Sequence, residues 1–220
     1  MSDYVIPEIK ATEAEMISIR HYLHANPELS LEEFNTSELV ASKLTEWGYQ
    51  VTRGLGKTGV VGSLSKGDSP RTIGLRADMD ALPIEETTGL PWASTAPGKM
   101  HACGHDLHTA MLLGAAALLQ QHQAELQGTV RLVFQPDEEG FTGAKSMLAA
   151  GVLKDAPSPK AALALHVNSG TPSGMVLCGE GTFMAGCTLF RVTVRGTGCH
   201  GAMPETGVDP IGIAAQIWLA

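Results

Sequence analysis

The sequence has few charged residues and few aromatic ones, and it contains no long uninterrupted hydrophobic run. Charged residues make up 17% of the 220 positions and aromatic residues 5%, and the formal net charge is -8. No block of lysines and arginines interrupts this acidic balance, which argues against a nucleic-acid-binding surface. The longest apolar stretch, 111–119, contains a glycine and is too short to cross a membrane.

Cysteine is also scarce and irregularly spaced. The four cysteines stand at positions 103, 178, 187 and 199, which is not the pattern of a disulfide framework in a chain of this length. The N-terminal residues lack the basic flank and apolar core that are typical of a signal peptide. We therefore expect a cytoplasmic protein with neither a membrane nor a nucleic acid as its partner.

Short apolar runs alternate with helical patterns along most of the chain. This alternation predicts an α/β fold with a mostly parallel sheet flanked by helices. Ser30 and Glu33 fit the capping-box pattern at the start of a helix, and Asp106 is placed to cap a second, mostly apolar helix. Strands are predicted at 49–52, 60–64, 72–77, 129–134 and 161–165.

The last part of the chain differs from the rest. An alternating strand is predicted at 189–195, and a helix begins after Pro210. One strand and one amphipathic helix cannot bury a core of their own. We therefore predict one domain over residues 1–186 and the beginning of a smaller second domain over residues 187–220.

Polar clusters follow the ends of three predicted apolar strands. These clusters are Asp78 with Asp80, Glu138 with Glu139, and His166. In open α/β sheets, ligands bind at the carboxyl ends of the strands. The sequence thus predicts that these side chains meet at one edge of one sheet.

The segment HACGHDLH, residues 101–108, adds further candidate ligands at the start of the apolar helix. Cys103 and His105 are two residues apart, so their side chains can point the same way in an extended segment. A thiolate and an imidazole suit zinc or a similar divalent metal. With Glu139 and His166 they complete a candidate site, and Glu138 is left free as a base that takes a proton from a metal-bound water.

Simpler interpretations exist for each of these residues taken alone. Cys103 can be a buried thiol and His105 a hydrogen-bonded histidine at a helix start, while Glu139 can cap a turn. His166 can be structural, because a lone histidine at a strand end usually is. A further alternative makes Cys103 a nucleophile with His105 or His108 as its base, although this leaves the two glutamates without a role.

Together these stretches resemble the M20 metallopeptidase family, in particular its amidohydrolase branch of hippurate hydrolases, N-acyl-amino-acid amidohydrolases and plant auxin-conjugate hydrolases. The matching stretches are RHYLHANPELSLEE (20–33), LRADMDALPIEE (75–86), MHACGHDLHTAM (100–111), VFQPDEEG (133–140), ALHV (164–167) and GTGCHGAMPETGVDP (196–210). They cover nearly all of the chain in the family's order.

The resemblance implies a zinc-exopeptidase-like catalytic domain with two divalent metal ions, which can be Mn²⁺, Zn²⁺, Co²⁺ or Ni²⁺. Cys103, His105, Glu139 and His166 would be ligands and Glu138 the general base in hydrolysis of the amide bond of an N-acyl-amino acid. His200 matches a substrate-binding histidine of the family's lid and dimerisation domain, which implies a homodimer.

The same resemblance implies that the chain is truncated at its C-terminus. The catalytic, metal-binding domain over residues 1–186 and the α+β lid domain that begins at residue 187 would then both be incomplete. Members of the family are nearly twice as long, and their catalytic domain resumes after the lid and supplies a further histidine ligand. The alternative function is therefore a catalytically incompetent fragment or interaction module that retains a partial metal site.

Overall fold

The structure, a computed structural model, describes residues 7–154 and 158–219, and the chain divides into two compact units between Gly174 and Met175. The first unit contains a five-stranded sheet and four helices. Its elements are α1 (Pro7–Ala25), α2 (Phe34–Glu46), β1 (Gln50–Leu55), β2 (Gly59–Lys66), β3 (Thr72–Asp78), α3 (His105–Gln121), β4 (Gly128–Gln135), α4 (Gly143–Ala149) and β5 (Ala161–Ala164).

The sheet has the strand order β1-β2-β4-β3-β5 and is mixed. β3 pairs in parallel with both β4 and β5, whereas β2 is antiparallel to β1 and β4. Only three residues connect β1 to β2, and so short a connection permits only antiparallel pairing. The predicted α/β class is confirmed, but the sheet is not mostly parallel as predicted, because two of its four strand pairings are antiparallel. The parallel half leads to the candidate ligands.

The hydrophobic core lies between the sheet and the helices α1, α2 and α3. Leu44 of α2, Leu113 of α3 and Phe134 of β4 are each fully buried. The predicted apolar helix is therefore interior on one side, whereas Leu107 and Met111 on its other side remain exposed. This packing anchors the N-terminus of α3 against the sheet edge where the strands end.

The second unit contains a 3₁₀ turn, Pro204–Thr206, and one helix, α5 (Pro210–Leu219). The helix after Pro210 is as predicted, but the predicted strand at 189–195 is wrong, because a strand needs a neighbouring backbone and no described residue pairs with that segment. The observed division at Gly174 lies upstream of the predicted boundary at Cys187. The assignment of this unit to a lid domain stays a prediction.

No helix within the described residues combines the length and the apolar character needed to cross a membrane.

Candidate metal centre

Three parallel strands and one helix converge on the candidate site. β3 ends at Asp78, β4 leads to Glu138 and Glu139, and β5 leads to His166. Because β3, β4 and β5 are parallel, their carboxyl ends lie at the same edge of the sheet. Helix α3 begins at His105 at this same edge. These polar side chains therefore lie at one edge of the sheet, as predicted.

The four predicted ligands and the predicted base lie close together. The Sγ atom of Cys103 is 3.5 Å from Nε2 of His166, and ligand atoms of Cys103, His105 and His166 lie within 4.8 Å of one another. Nε2 of His105 is 3.9 Å from both Oε1 of Glu139 and Oε2 of Glu138. These distances are compatible with a shared ion, and the role of each residue stays a prediction.

Two of these atoms are buried without a hydrogen-bond partner. They are Nε2 of His105 and Oε1 of Glu139, neither of which forms a hydrogen bond to any described residue. A buried polar atom without a partner costs about 1–3 kcal/mol, which a bound cation would relieve. Two imidazoles, a thiol and a carboxylate are also the donor types that divalent transition metals and zinc prefer. The residues present therefore fit a metal centre.

The surrounding groups shift the pKa values of the site. Burial raises the pKa of the Cys103 thiol to about 12, and the carboxylate of Glu139 adds to this shift. Such a thiol remains protonated near neutral pH until a cation displaces its proton. A protonated thiol is a poor nucleophile, which counts against the alternative of nucleophilic catalysis by Cys103.

The pKa values of Glu138 and His105 are both raised, but for different reasons. Burial raises the pKa of Glu138, and the nearby charge of Asp78 raises it further. Burial alone would lower the pKa of His105, but the carboxylates of Asp80 and Asp78 outweigh burial and raise it. Both groups thus keep their protons to a higher pH than they would at their ordinary pKa values.

Asp80 connects three parts of the site through a single carboxylate. Its Oδ1 is 3.2 Å from Nδ1 of His105, and its Oδ2 accepts hydrogen bonds from the hydroxyl of Ser30 at 2.7 Å and from the backbone amide of Glu139 at 3.0 Å. An aspartate at a strand end can be an ordinary solvated acid or a residue that orients metal ligands. Its contacts are those of a residue that orients metal ligands.

Asp78 and His108 form a second supporting pair that the sequence did not assign. Nδ1 of His108 is 2.6 Å from Asp78, and Nε2 of His108 accepts a hydrogen bond from the backbone amide of Val167 at 3.0 Å. Burial alone would raise the pKa of Asp78, but His108, His105 and Arg76 together lower it to about 2. The available signal was the spacing of His105 and His108, which places both on one face of a helix.

Both capping predictions near the site are wrong. α2 begins after Glu33, yet neither Ser30 nor Glu33 forms a capping box, because both side chains bond to residues of the site region instead. α3 has Gly104 at its N-cap with φ 88°, where a Cβ atom would lie 2.4 Å from Val167. Asp106 instead bonds Arg20 and His24, each at 2.9 Å.

His200, the predicted substrate-binding residue, belongs to the second unit. Its side chain is exposed, and its Nδ1 accepts a hydrogen bond from the backbone amide of Ala202 at 3.2 Å. This local turn orients the imidazole ring, and its contact with a substrate stays a prediction.

Comparisons with known proteins agree with this geometry. A model of peptidase family M20/M25/M40 matches residues 74–217. The chain is 48% identical to IAA-amino acid hydrolase ILR1-like 5 of Arabidopsis thaliana over 93% of its length, and 44% identical to the hippurate hydrolase of Campylobacter jejuni over 98%. These alignments cover 46% and 56% of the two relatives, so the chain spans about half the length of the curated relatives it matches.

Solved structures show the same similarity. The crystal structure of the YXEP protein of Bacillus subtilis, described as a dinuclear metal-binding peptidase of the M20 family, superposes with a TM-score of 0.70 at 43% sequence identity. The match covers 74% of this chain and 45% of that one. The described fold is therefore the one found in the M20 family.

Proposed function

The chain belongs to peptidase family M20/M25/M40, and on that premise we propose that it forms part of a metal-dependent amidohydrolase that cleaves N-acyl-amino acids. One observation supports this most directly. The unpartnered Nε2 of His105 faces the carboxylates of Glu138 and Glu139 at equal distances of 3.9 Å. In the proposal Glu139, whose Oε1 is also without a hydrogen-bond partner, binds an ion, and Glu138 remains free for proton transfer.

The proposed ligands of two divalent ions are Cys103, His105, Glu139 and His166. When bound, such ions polarise a substrate carbonyl group and lower the pKa of a water molecule to about 7. Asp80 holds the His105 ring by its Nδ1 atom, so Nε2 would be free to bind an ion. The orientation of this ligand therefore depends on a residue that need not touch the metal.

Glu138 is proposed as the general base. Its side chain is 37% exposed, so a substrate and a water molecule can reach its carboxylate. Burial and the charge of Asp78 raise its pKa, which makes it a better proton acceptor than an ordinary glutamate. Glu138 would take a proton from the attacking water and donate it to the nitrogen of the leaving amino acid.

The names of the relatives support the class of substrate. They include IAA-amino acid hydrolases, a hippurate hydrolase and the N-acetyl-L-cysteine deacetylase of Bacillus subtilis. We propose that this protein likewise hydrolyses a linear amide between an acyl group and an amino acid. In this proposal His200 contacts the substrate, and the complete protein is a homodimer in the cytoplasm.

Metal removal and replacement test this proposal. Treatment of the protein with a chelator should abolish hydrolysis of N-benzoyl- and N-acetyl-amino acids, and addition of Mn²⁺, Zn²⁺, Co²⁺ or Ni²⁺ in turn should restore it. Elemental analysis of the purified protein then identifies the ion. Hydrolysis that survives complete metal removal would contradict the proposal.

The second candidate function is an interaction module or fragment that binds metal without turnover. It is favoured by the coverage of only about half of each relative. Metal titration of the 220-residue chain and an activity assay on the same sample separate the two functions. Stoichiometric metal binding without hydrolysis of any N-acyl-amino acid supports the module, whereas hydrolysis that depends on the metal excludes it.

A further inference from the structure

The buried side chain of Glu33 contacts the turn that contains Glu138, although the two residues are far apart in the sequence. Glu33 is 0% exposed. Its Oε1 accepts a hydrogen bond from the backbone amide of Asp137 at 2.9 Å, and its Oε2 accepts one from the hydroxyl of Thr58. A carboxylate that is removed from water therefore bonds directly to the residue that precedes the proposed base.

The turn itself, residues 136–143, has little freedom. Asp137 has φ 51°, a left-handed conformation that costs about 1 kcal/mol for a residue other than glycine. Its carboxylate accepts a hydrogen bond from the amide of Thr142 at 3.2 Å, and its carbonyl accepts one from the amide of Gly143 at 3.1 Å. A Cβ atom on Gly140 would lie 1.9 Å from Oδ1 of Asp137. Such a conformation persists only where its surroundings hold it.

Two buried carboxylates hold the backbone on the two sides of Glu138. Glu33 binds the amide of Asp137, and Asp80 binds the amide of Glu139 at 3.0 Å. The main chain of Glu138 is therefore fixed between two anchors that come from different parts of the fold.

We propose that Glu33 is a positioning residue for Glu138, which it places through the Asp137 amide. This inference rests on the proposed function, because it assumes that Glu138 is the base. Glu33 itself contacts neither the candidate ligand atoms nor a substrate in this proposal. Its effect arises from the placement of the turn, because a displacement of about 1 Å at a reacting group can reduce a rate about 100-fold.

A purely structural role would be capping of helix α2, and the contacts do not support it. Glu33 stands at the N-cap position of α2, but its side chain forms no capping hydrogen bond. The backbone amides of Asn35 and Thr36 are instead bound by Glu28, at 3.0 and 2.9 Å. Glu28 therefore stabilises the start of the helix, and Glu33 is directed at the turn.

This division provides a matched pair of variants. Glu33→Leu removes the anchor of the turn. Glu28→Leu removes another glutamate carboxylate, whose hydrogen bonds within the described residues go only to Asn35 and Thr36 at the start of α2. We expect Glu33→Leu to lower kcat about 10- to 100-fold with KM within twofold, at unchanged metal content. Glu28→Leu should lower the melting temperature but leave kcat within twofold of wild type.

Conservative variants keep the test decisive if Glu33→Leu fails to fold. Glu33→Gln retains an acceptor for the Asp137 amide and should recover kcat to within about threefold of wild type. Glu33→Asp keeps the charge but is one methylene shorter, so it cannot reach Asp137 and Thr58 together, and kcat should fall about 10-fold. Wild-type kcat in folded Glu33→Leu or in Glu33→Asp would overturn the proposal, as would an equal loss of kcat in Glu28→Leu.

A second readout does not depend on activity. Hydrogen exchange of the Asp137 and Glu139 backbone amides, measured by NMR in the metal-free chain, should be about 10-fold faster in Glu33→Asp and unchanged in Glu28→Leu. Absence of any hydrolysis by the wild-type protein would reject the proposed function alone, and the exchange rates would still decide whether Glu33 positions the turn. Unchanged exchange at Asp137 would overturn the positioning role.

Discussion

The carboxylate of Asp80 is bonded both to the imidazole of His105 and to the backbone amide of Glu139, at 3.2 and 3.0 Å. These two residues come from the start of a helix and from a turn after a strand. One aspartate therefore sets the orientation of one proposed ligand and the backbone position of another. The two ligands are coupled before any ion binds.

Replacement of Asp80 by alanine should weaken metal binding about 10- to 100-fold, because the orientation of His105 and the position of Glu139 are lost together. Competition with a chromogenic chelator measures this affinity. Ser30→Ala serves as the control, since it removes only one neutral hydrogen bond to Asp80 and should change the affinity by only a few fold. Equal affinity in wild type and Asp80→Ala would contradict the assigned role.

Glu138→Gln should lose catalysis and keep metal. The amide cannot accept the proton of the attacking water, so kcat should fall about 10²- to 10⁴-fold, while metal content measured by elemental analysis stays at the wild-type value. Glu139→Gln is the matched comparison. The carboxylate of Glu139 is a proposed ligand, so its replacement should lower the affinity for metal. Full activity in Glu138→Gln would remove Glu138 as the base.

Tyr49→Phe should change how stability depends on pH in the alkaline range. Tyr49 is buried and its hydroxyl donates to the carbonyl oxygen of Ala116 at 2.8 Å, so the variant should lose about 1 kcal/mol at pH 7. Burial raises the pKa of Tyr49 to about 12, above its ordinary value of about 10. Between these two values the unfolded wild-type chain binds fewer protons than the folded one, so its stability falls as pH rises.

The variant lacks this titration, so the wild type should lose its advantage as the pH rises above about 10. Urea denaturation of both proteins at intervals from pH 7 to pH 11 measures the difference in free energy of unfolding. A difference that stays constant over the whole range would show that the hydroxyl is not buried in the folded protein.

Leu113→Ala should destabilise the fold by about 2–5 kcal/mol, because Leu113 is fully buried in the core and its truncation leaves a cavity. Leu107→Ala on the same helix is the matched control. Leu107 is 36% exposed, and its replacement should cost less than about 1 kcal/mol. Chemical denaturation gives both free energies of unfolding. Similar losses in the two variants would contradict the burial of Leu113 and the exposure of Leu107 on α3.

The α/β class and the meeting of the ligands at one sheet edge followed from local patterns in the sequence. Apolar runs ended at Asp78, before Glu138 and before His166, and the carboxyl ends of parallel strands share an edge. The segment with Cys103 and His105 was recognisable because thiol and imidazole at this spacing suit a metal. These features depend on periodicity and residue chemistry, which are both visible along a single chain.

Contacts between residues far apart in the chain could not be predicted from such local patterns. Ser30 and Glu33 matched a capping box perfectly well in sequence, but a hydroxyl and a carboxylate bond to whichever buried donor or acceptor the fold brings near them. Here those partners are Asp80 and the Asp137 amide, 50 and 104 positions away. The strand predicted at 189–195 is wrong for a related reason, since pairing requires a second backbone.

Residue type and spacing were thus sufficient to predict the class of fold and to select the candidate ligands and the proposed base, which the structure brings close together. Only the tertiary structure showed which side chains contact this region: Asp80 bonds His105 and the Glu139 amide, His108 bonds Asp78, and Glu33 bonds the Asp137 amide. The physical reason is that a buried polar group must be satisfied by a partner, and the identity of that partner follows from packing in three dimensions rather than from neighbours in the chain.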